Sequence, residues 1–255
     1  MEKKTGQEGI RINKYLSEAG VCSRRAADRE IEAGNVLIDG RTAVAGDRVF
    51  QGMTVTYHGT VVSREKEEIL IAFHKPAGVV CTAEKREKNN IIDYIQYPKR
   101  IYPVGRLDKD SEGLILLTNQ GGLVNKIMRA GNYHEKEYVV TVDKDITEHF
   151  LQKMRAGVYL TELDVTTRKC RVEKKDQKTF HIVLTQGYNR QIRRMCGELG
   201  YRVRKLKRIR IMNITLGNLP EGTYRNVTAK ERQVLKKLTE HSYSDPVGTA
   251  GKKRG

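Results

Sequence analysis

The six-residue run SREKEE at positions 63–68 separates two apolar stretches, and it constrains the fold more than any other feature of the chain. Charge at that density does not enter a core, so the residues before it and after it must each bury apolar surface of their own. With 255 residues there is room for a small module and a domain of ordinary size. A hydrophobic fraction of 38% against 31% charged residues is that of a globular chain. The expected division is a module over residues 10–60, a larger domain over 69–240, and a basic, flexible tail over 241–255. The polar stretch 1–9 is expected to be mobile as well.

In the first part, Asn13 can cap a short helix carrying Ile12 and Leu16, stopped by Gly20. Ser23 can cap a second helix with Ala27 and Ile31 four apart and Gly34 at its end. Val36 to Ile38, an Asp39-Gly40 turn and the alternating Met53, Val55 and Tyr57 then predict a small hairpin-bearing sheet. Arg11, Lys14, Arg24, Arg25 and Arg29 fall off the apolar stripes. Two helices followed by strands, in the wording INKYLSEAGVCSRRAADREIEAGNVLIDG, resemble the S-four-type RNA-binding domain. Between residues 9 and 60 there are seven basic and six acidic side chains, so it is the placement of charge, not its total, that supports this likeness.

The second part predicts strands near 69–74, 114–118, 137–142, 179–185 and 208–216. Helices are predicted over 122–130, 147–156, 190–199 and 229–239, where apolar residues recur at three or four spacing. Strands and helices do not alternate regularly. The expected class is therefore α+β, with a mixed, mostly antiparallel sheet.

Forty-eight Lys and Arg against 31 Asp and Glu give a net charge of +17, which draws a polyanion by releasing its condensed counterions. Nearly half of the excess lies between Gln186 and Arg210, with nine basic residues and one acid, Glu198. Asn189 can cap a helix whose apolar face is Ile192, Met195, Cys196 and Leu199, leaving Arg190, Arg193 and Arg194 on its flanks. Arginines at a helix start oppose the helix dipole and ask for an anionic partner. The four cysteines, Cys22, Cys81, Cys170 and Cys196, form no CxxC pair, so neither a zinc cluster nor a disulfide framework is expected. No window approaches a membrane span and no apolar segment follows the N-terminus, which predicts a cytoplasmic protein. His74 and His134 read as core or surface histidines.

In YPVGRLDKDSEGLILLTN, Asp108 stands in a charged loop between two apolar strands, close to Arg106 and Lys109. Cationic neighbours favour the ionised carboxylate, which suits a nucleophile or base and not a proton donor. Asp108, Asp110 and Glu112 lack the rest of a calcium-loop pattern and have no partnered histidine, so no metal is expected.

The segment GRLDKDSEGLILLTN is similar to the catalytic motif of pseudouridine synthases that modify ribosomal RNA, the group that includes RsuA, RluB, RluE and RluF. HKPAGVV with Lys75, EKEYVVTV with Tyr138 and GYNRQIRRM are similar to the group's other motifs, in the same order and spacing, and the resemblance covers residues 10 to about 240. Members often carry a long basic extension, so less nonspecific RNA affinity is expected here. The resemblance implies an RNA isomerase without cofactor or metal. In it Asp108 is the essential carboxylate, Arg193 pairs with Asp108 and keeps it ionised, and Tyr138 stacks on the uracil. It further implies RNA contacts at Arg106, Lys75, Asn189, Arg190, Gln191, Arg194, Lys205, Lys207 and Arg208, and, in the module, at Arg11, Lys14, Arg24 and Arg25. The implied partner is structured RNA, ribosomal RNA first and a tRNA anticodon-loop uridine second, bound by a monomer. A ribosome-assembly factor without catalysis would account for charge and module alike, but not for Asp108, Tyr138 and Arg193 together. A metal nuclease or phosphoryl transferase would need a Walker-type loop or a carboxylate cluster.

Overall fold

The computed structural model describes residues 9–65, 67–84 and 86–243. The tail expected over 241–255 and the mobile start therefore lie almost wholly outside the described residues, as does Lys66 of the charged run. The chain divides into two compact units between Glu68 and Ile69.

In the first unit α1 (Ile12–Glu18) and α2 (Arg24–Glu32) pack Ile12, Leu16, Ala27 and Ile31 against Val36, Val49 and Val55. The Ser23 side chain caps α2 by accepting from the Ala26 N–H at 3.2 Å. Asn13 is not the cap of α1. That place belongs to Arg11, with no side-chain cap, and Asn13 lies in the first turn. Its amide donates to Asp28 Oδ1 at 2.7 Å and accepts from Arg24 Nη2 at 3.4 Å, so it ties the two helices together. The strands run Arg41–Thr42, Val36–Ile38, Val55–Tyr57, Thr60–Val62 in spatial order. Asp39 and Gly40 both have positive φ, as a two-residue hairpin turn requires, and Asp39 Oδ1 accepts from the Thr54 N–H. Met53 stands outside the strand.

The second unit is α+β, built on a nine-stranded mixed sheet. Along its main path the order is Arg171–Lys174, Thr179–Leu184, Lys136–Val142, Val203–Ile211, Glu112–Thr118, Leu70–Lys75 and Tyr224–Asn226. All pairings are antiparallel except one: Val203–Ile211 lies parallel to Glu112–Thr118 through Lys207 opposite Glu112 and Arg208 opposite Gly113. The strand expected at 208–216 begins at Val203 and turns at Met212 and Asn213 into the short Ile214–Thr215 strand. Its basic residues at 204, 205 and 207 hid the start, since a charged strand edge lacks an apolar signal.

Among the described residues five α-helices accompany this sheet: α3 (Ile91–Ile95), α4 (Gly121–Met128), α5 (Glu148–Ala156), α6 (Gln191–Glu198) and α7 (Ala229–Leu238). On one face, Val140, Phe180, Ile182 and Leu206 pack against Phe150, Leu151 and Met154 of α5 and Ile192 and Met195 of α6. Each such side chain contributes roughly 1.5–3 kcal/mol by leaving water. Ile71, Phe73 and Ile115 form a second core with Ile91 of α3, and Leu70, Leu114 and Leu116 a third with Ile127 of α4 and Leu235 of α7. The single parallel seam, at Gly113 and Arg208, is where the loop carrying Asp108 enters the sheet.

Candidate active site

The loop from Val104 to Ser111 is held from below by buried cations. Lys75 is fully buried, and its ammonium donates to the Pro76, Val79 and Lys109 carbonyls at 2.7, 2.8 and 3.4 Å. Burial pulls its pKa down and the charge of Arg208 acts the same way, against the charges of Asp110 and Asp108. The Gly78 N–H also donates to the Lys109 carbonyl, at 2.7 Å, and the Leu107 N–H approaches Cys81 Sγ at 3.4 Å. The HKPAGVV segment and the Cys81 that follows it thus fix the backbone on both sides of Asp108. Lys75 was expected at the RNA; it is instead spent on the protein's own carbonyls.

Arg208 shows the same correction. It is the largest fully buried side chain, donating from Nε to the Leu114 carbonyl at 2.7 Å and from Nη1 to the Arg106 carbonyl at 3.5 Å. Arg208 stands opposite Tyr138 in register, while its guanidinium ties the strand Glu112–Thr118 to the loop of Asp108. Lys136, two residues before Tyr138 on the same face, is buried too. Burial, reinforced by the charge of Arg208, pulls its pKa down to about 8. Nothing in the spacing of EKEYVVTV distinguished this lysine from a solvated one, except that it shares the apolar face of Tyr138, Val140 and Val142.

Four charges meet above this base. Asp108 Oδ2 lies 3.9 Å from Arg193 Nε and 3.8 Å from Arg190 Nη1, and the carboxylate is about a third exposed. The closer partner of both arginines is Asp110. Arg190 reaches Asp110 Oδ1 and Oδ2 at 3.2 and 3.3 Å, and Arg193 Nη2 reaches Oδ2 at 3.3 Å and the Asp110 carbonyl at 3.1 Å. Burial pushes the Asp110 carboxyl up, but the hydrogen bond from Arg190 and the charges of Arg193 and Arg190 outweigh it and hold the group below the usual carboxylate range. The expected pairing of Arg193 with Asp108 is present at 3.9 Å, longer than the contacts Arg193 makes to Asp110. Asp110 takes the strong contacts, and Arg193 Nε, buried and without a hydrogen-bond partner, is the atom that faces Asp108.

The remaining residues of the basic motif separate by role. Asn189 does not cap α6; Arg190 occupies that position in a left-handed conformation, φ 52°, and the Asn189 carbonyl accepts from Arg194 Nε. Gln191 is buried, accepts from the Tyr188 N–H at 3.0 Å and shapes the loop from inside. Arg194 is ion-paired with Glu162. Glu162, Arg190, Arg193, Arg194 and Glu198 line one open depression. Lys205 and Lys207 alternate with Leu206 and Arg208, so they leave the sheet on the face opposite Tyr138, where Lys207 lies 3.8 Å from Glu112. Arg106 is exposed beside Asp108, and Tyr138 is half-buried at the edge of the core. In the first unit Arg11, Lys14, Arg24 and Arg25 are all exposed. Among the described residues no three His, Cys, Asp or Glu side chains are grouped to hold a metal ion.

A carboxylate seated in a braced loop, faced by arginines and open to solvent, on a chain of net charge +17 that also carries a two-helix module with exposed arginines, defines an enzyme acting on a polyanion. Residues 69–198 match the RNA pseudouridylate synthase family and residues 10–55 the S4 domain, and the chain belongs to the pseudouridine synthases. It is 54% identical over 238 residues to the dual-specificity RNA pseudouridine synthase RluF of Escherichia coli (strain K12), covering 92% of this chain and 81% of the relative. It is 34% identical to the ribosomal large subunit pseudouridine synthase B of Bacillus subtilis (strain 168), covering 91% and 97%. A crystal structure of a pseudouridylate synthase superposes with a TM-score of 0.65 at 26% identity, over 90% of this chain and 99% of that one.

Proposed function

We propose that this pseudouridine synthase isomerises one uridine of large-subunit ribosomal RNA, with a tRNA anticodon-loop uridine as a second target. The observation that carries the reading is the 54% identity to RluF, which spans both units and covers 92% of this chain and 81% of the relative. The relative's dual specificity supports the second target.

Isomerisation breaks the bond between ribose and a uracil nitrogen, turns the base and rejoins it through carbon, with no change of oxidation state. Asp108 acts at the sugar, by attack on carbon or by removal of a proton, and either route starts from the carboxylate. Arg193 Nε and Arg190 Nη1 stand 3.9 and 3.8 Å from it, near enough to orient it without holding it in a tight pair. Tyr138 stacks on the turned base, Arg106 helps to occupy the space the uridine vacates, Arg190 meets a flanking phosphate, and extrusion of the uridine costs a few kcal/mol that those contacts offset. The exposed arginines of the first unit give a second hold on the same folded RNA. The enzyme works in the cytoplasm as a monomer, without metal or cofactor.

Pseudouridine mapping of ribosomal RNA and tRNA from cells lacking the protein tests this. Loss of one large-subunit site, restored by the wild-type chain, is expected; an unchanged large-subunit map rules the assignment out.

A further inference from the structure

Ala130–Asn132 form a single 3-10 turn that ends on Tyr133 in a left-handed conformation, φ 55°. An aromatic residue adopts that region only when its surroundings impose it. Asn132 Nδ2 donates to the Lys126 carbonyl at 2.8 Å and the Tyr243 carbonyl at 3.2 Å, and the Tyr243 N–H returns a bond to Asn132 Oδ1. His134 Nε2 meets Ser242 Oγ at 2.8 Å. The chain following α7 thereby pins the turn on one side. On the other, Arg168 Nη1 donates to the Ala130 carbonyl at 2.9 Å and the Thr185 carbonyl at 3.3 Å, and its guanidinium carbon lies 4.0 Å from the centre of the Tyr133 ring.

The product is a ring fixed in place, covered by a cation on one face, and yet 61% exposed. A tyrosine held for packing would be buried; this one is held rigid and left open. Its place in the fold matters equally. Tyr133 lies three residues before the strand Lys136–Val142 that carries Tyr138, and Thr185 directly precedes the loop that delivers Arg190 to Asp108 and Asp110.

We propose that Tyr133, backed by Arg168, is a stacking platform for an unpaired RNA base flanking the modified uridine. The proposal rests on the RNA substrate proposed above. Turning one nucleotide out of a stack strips its neighbours of a partner, and an aromatic face restores stacking to any base. The guanidinium behind the ring keeps it from turning and adds positive charge beside the phosphates. Pre-fixing the ring removes the ordering cost a mobile side chain would bring to the complex.

The test uses the full chain and an unmodified large-subunit ribosomal RNA transcript carrying tritium at uridine C5, with KM, single-turnover rate and thermal stability measured for Tyr133→Phe, Tyr133→Leu and Tyr133→Ala. The Ala and Leu variants are expected to raise KM about tenfold, the equivalent of about 1.4 kcal/mol, at unchanged single-turnover rate and stability. Tyr133→Phe is expected to match wild type. An unchanged KM in Tyr133→Ala, or a Leu variant as good as Phe, overturns the platform and leaves Tyr133 a turn residue. If the wild-type chain releases no tritium from this transcript, the choice of RNA is what fails. The Phe and Ala variants are then compared by equilibrium binding to the same transcript, where equal affinities overturn the platform.

Discussion

Asp110 and Lys136 show how single charges set the poise of this site. Asp110 holds Arg190 and Arg193 at hydrogen-bond range, so Asp108 is left free to meet substrate. Because the folded-state pKa of Asp110 is depressed, its contribution is present above the unfolded value near 4 and is lost as pH falls through the folded value. Asp110→Asn should cost about 1 kcal/mol at pH 7, since the carboxylate is half exposed and the pair partly screened. Thermal melts from pH 5 to pH 2 should show a smaller fall for the variant than for wild type. Lys136 works in the other direction. Its ammonium is charged in both states below about pH 8, where burial makes it destabilising, and stability rises between pH 8 and about 10.5 as the unfolded chain binds more protons than the folded one. Lys136→Met is expected to raise stability at pH 7 by on the order of 2 kcal/mol, with the gain vanishing by pH 10.5 in denaturant titrations. Neither role is legible in the sequence: the spacing of Asp108, Asp110 and Glu112 raises only the question of a metal, and Lys136 stands one residue before the expected strand 137–142.

At the level of elements, the periodic segments were readable because apolar spacing is a local property. α4, α5, α6 and α7 each lie within two residues of their expected bounds, and Ser23 caps α2 as its sequence signal indicated. The misreadings arose where tertiary contacts decide. Asn13 and Asn189 have capping chemistry, but one is drawn to Asp28 and the other is displaced by the left-handed Arg190 that Asp110 clamps. Which face Lys205 and Lys207 occupy depends on Leu206 entering the core, and strand register is invisible in a run of alternating basic residues. The parallel seam gives the sharpest test of an element. Gly113 has φ 109°, and a Cβ there would strike the Arg208 backbone. Gly113→Ala should lose about 2–4 kcal/mol, read from urea melts, together with the seating of the Asp108 loop.

For the whole molecule, the SREKEE run predicts two separate cores, and the chain forms two compact units whose boundary in sequence lies between Glu68 and Ile69. The α+β class followed from irregular strand and helix order, whereas the nine-strand order could not, because it depends on pairings across a hundred residues. The net charge of +17 predicts that affinity for the ribosomal transcript falls steeply and linearly on a log–log plot against salt concentration. Deleting residues 1–65 should raise KM and flatten that slope, since exposed Arg11, Lys14, Arg24 and Arg25 leave with the first unit. The single-turnover rate at saturating RNA should hold, because Asp108, Arg193 and Tyr138 all belong to the second unit.

Single-turnover tritium release by Asp108→Asn is the most direct measurement of the central claim. The substitution keeps the size of the side chain and removes only its charge, so the account predicts RNA binding within a few-fold of wild type and a rate lowered by at least about 10³-fold. A variant that binds RNA and still forms pseudouridine near the wild-type rate would contradict it, and would move the chemistry away from Asp108 altogether.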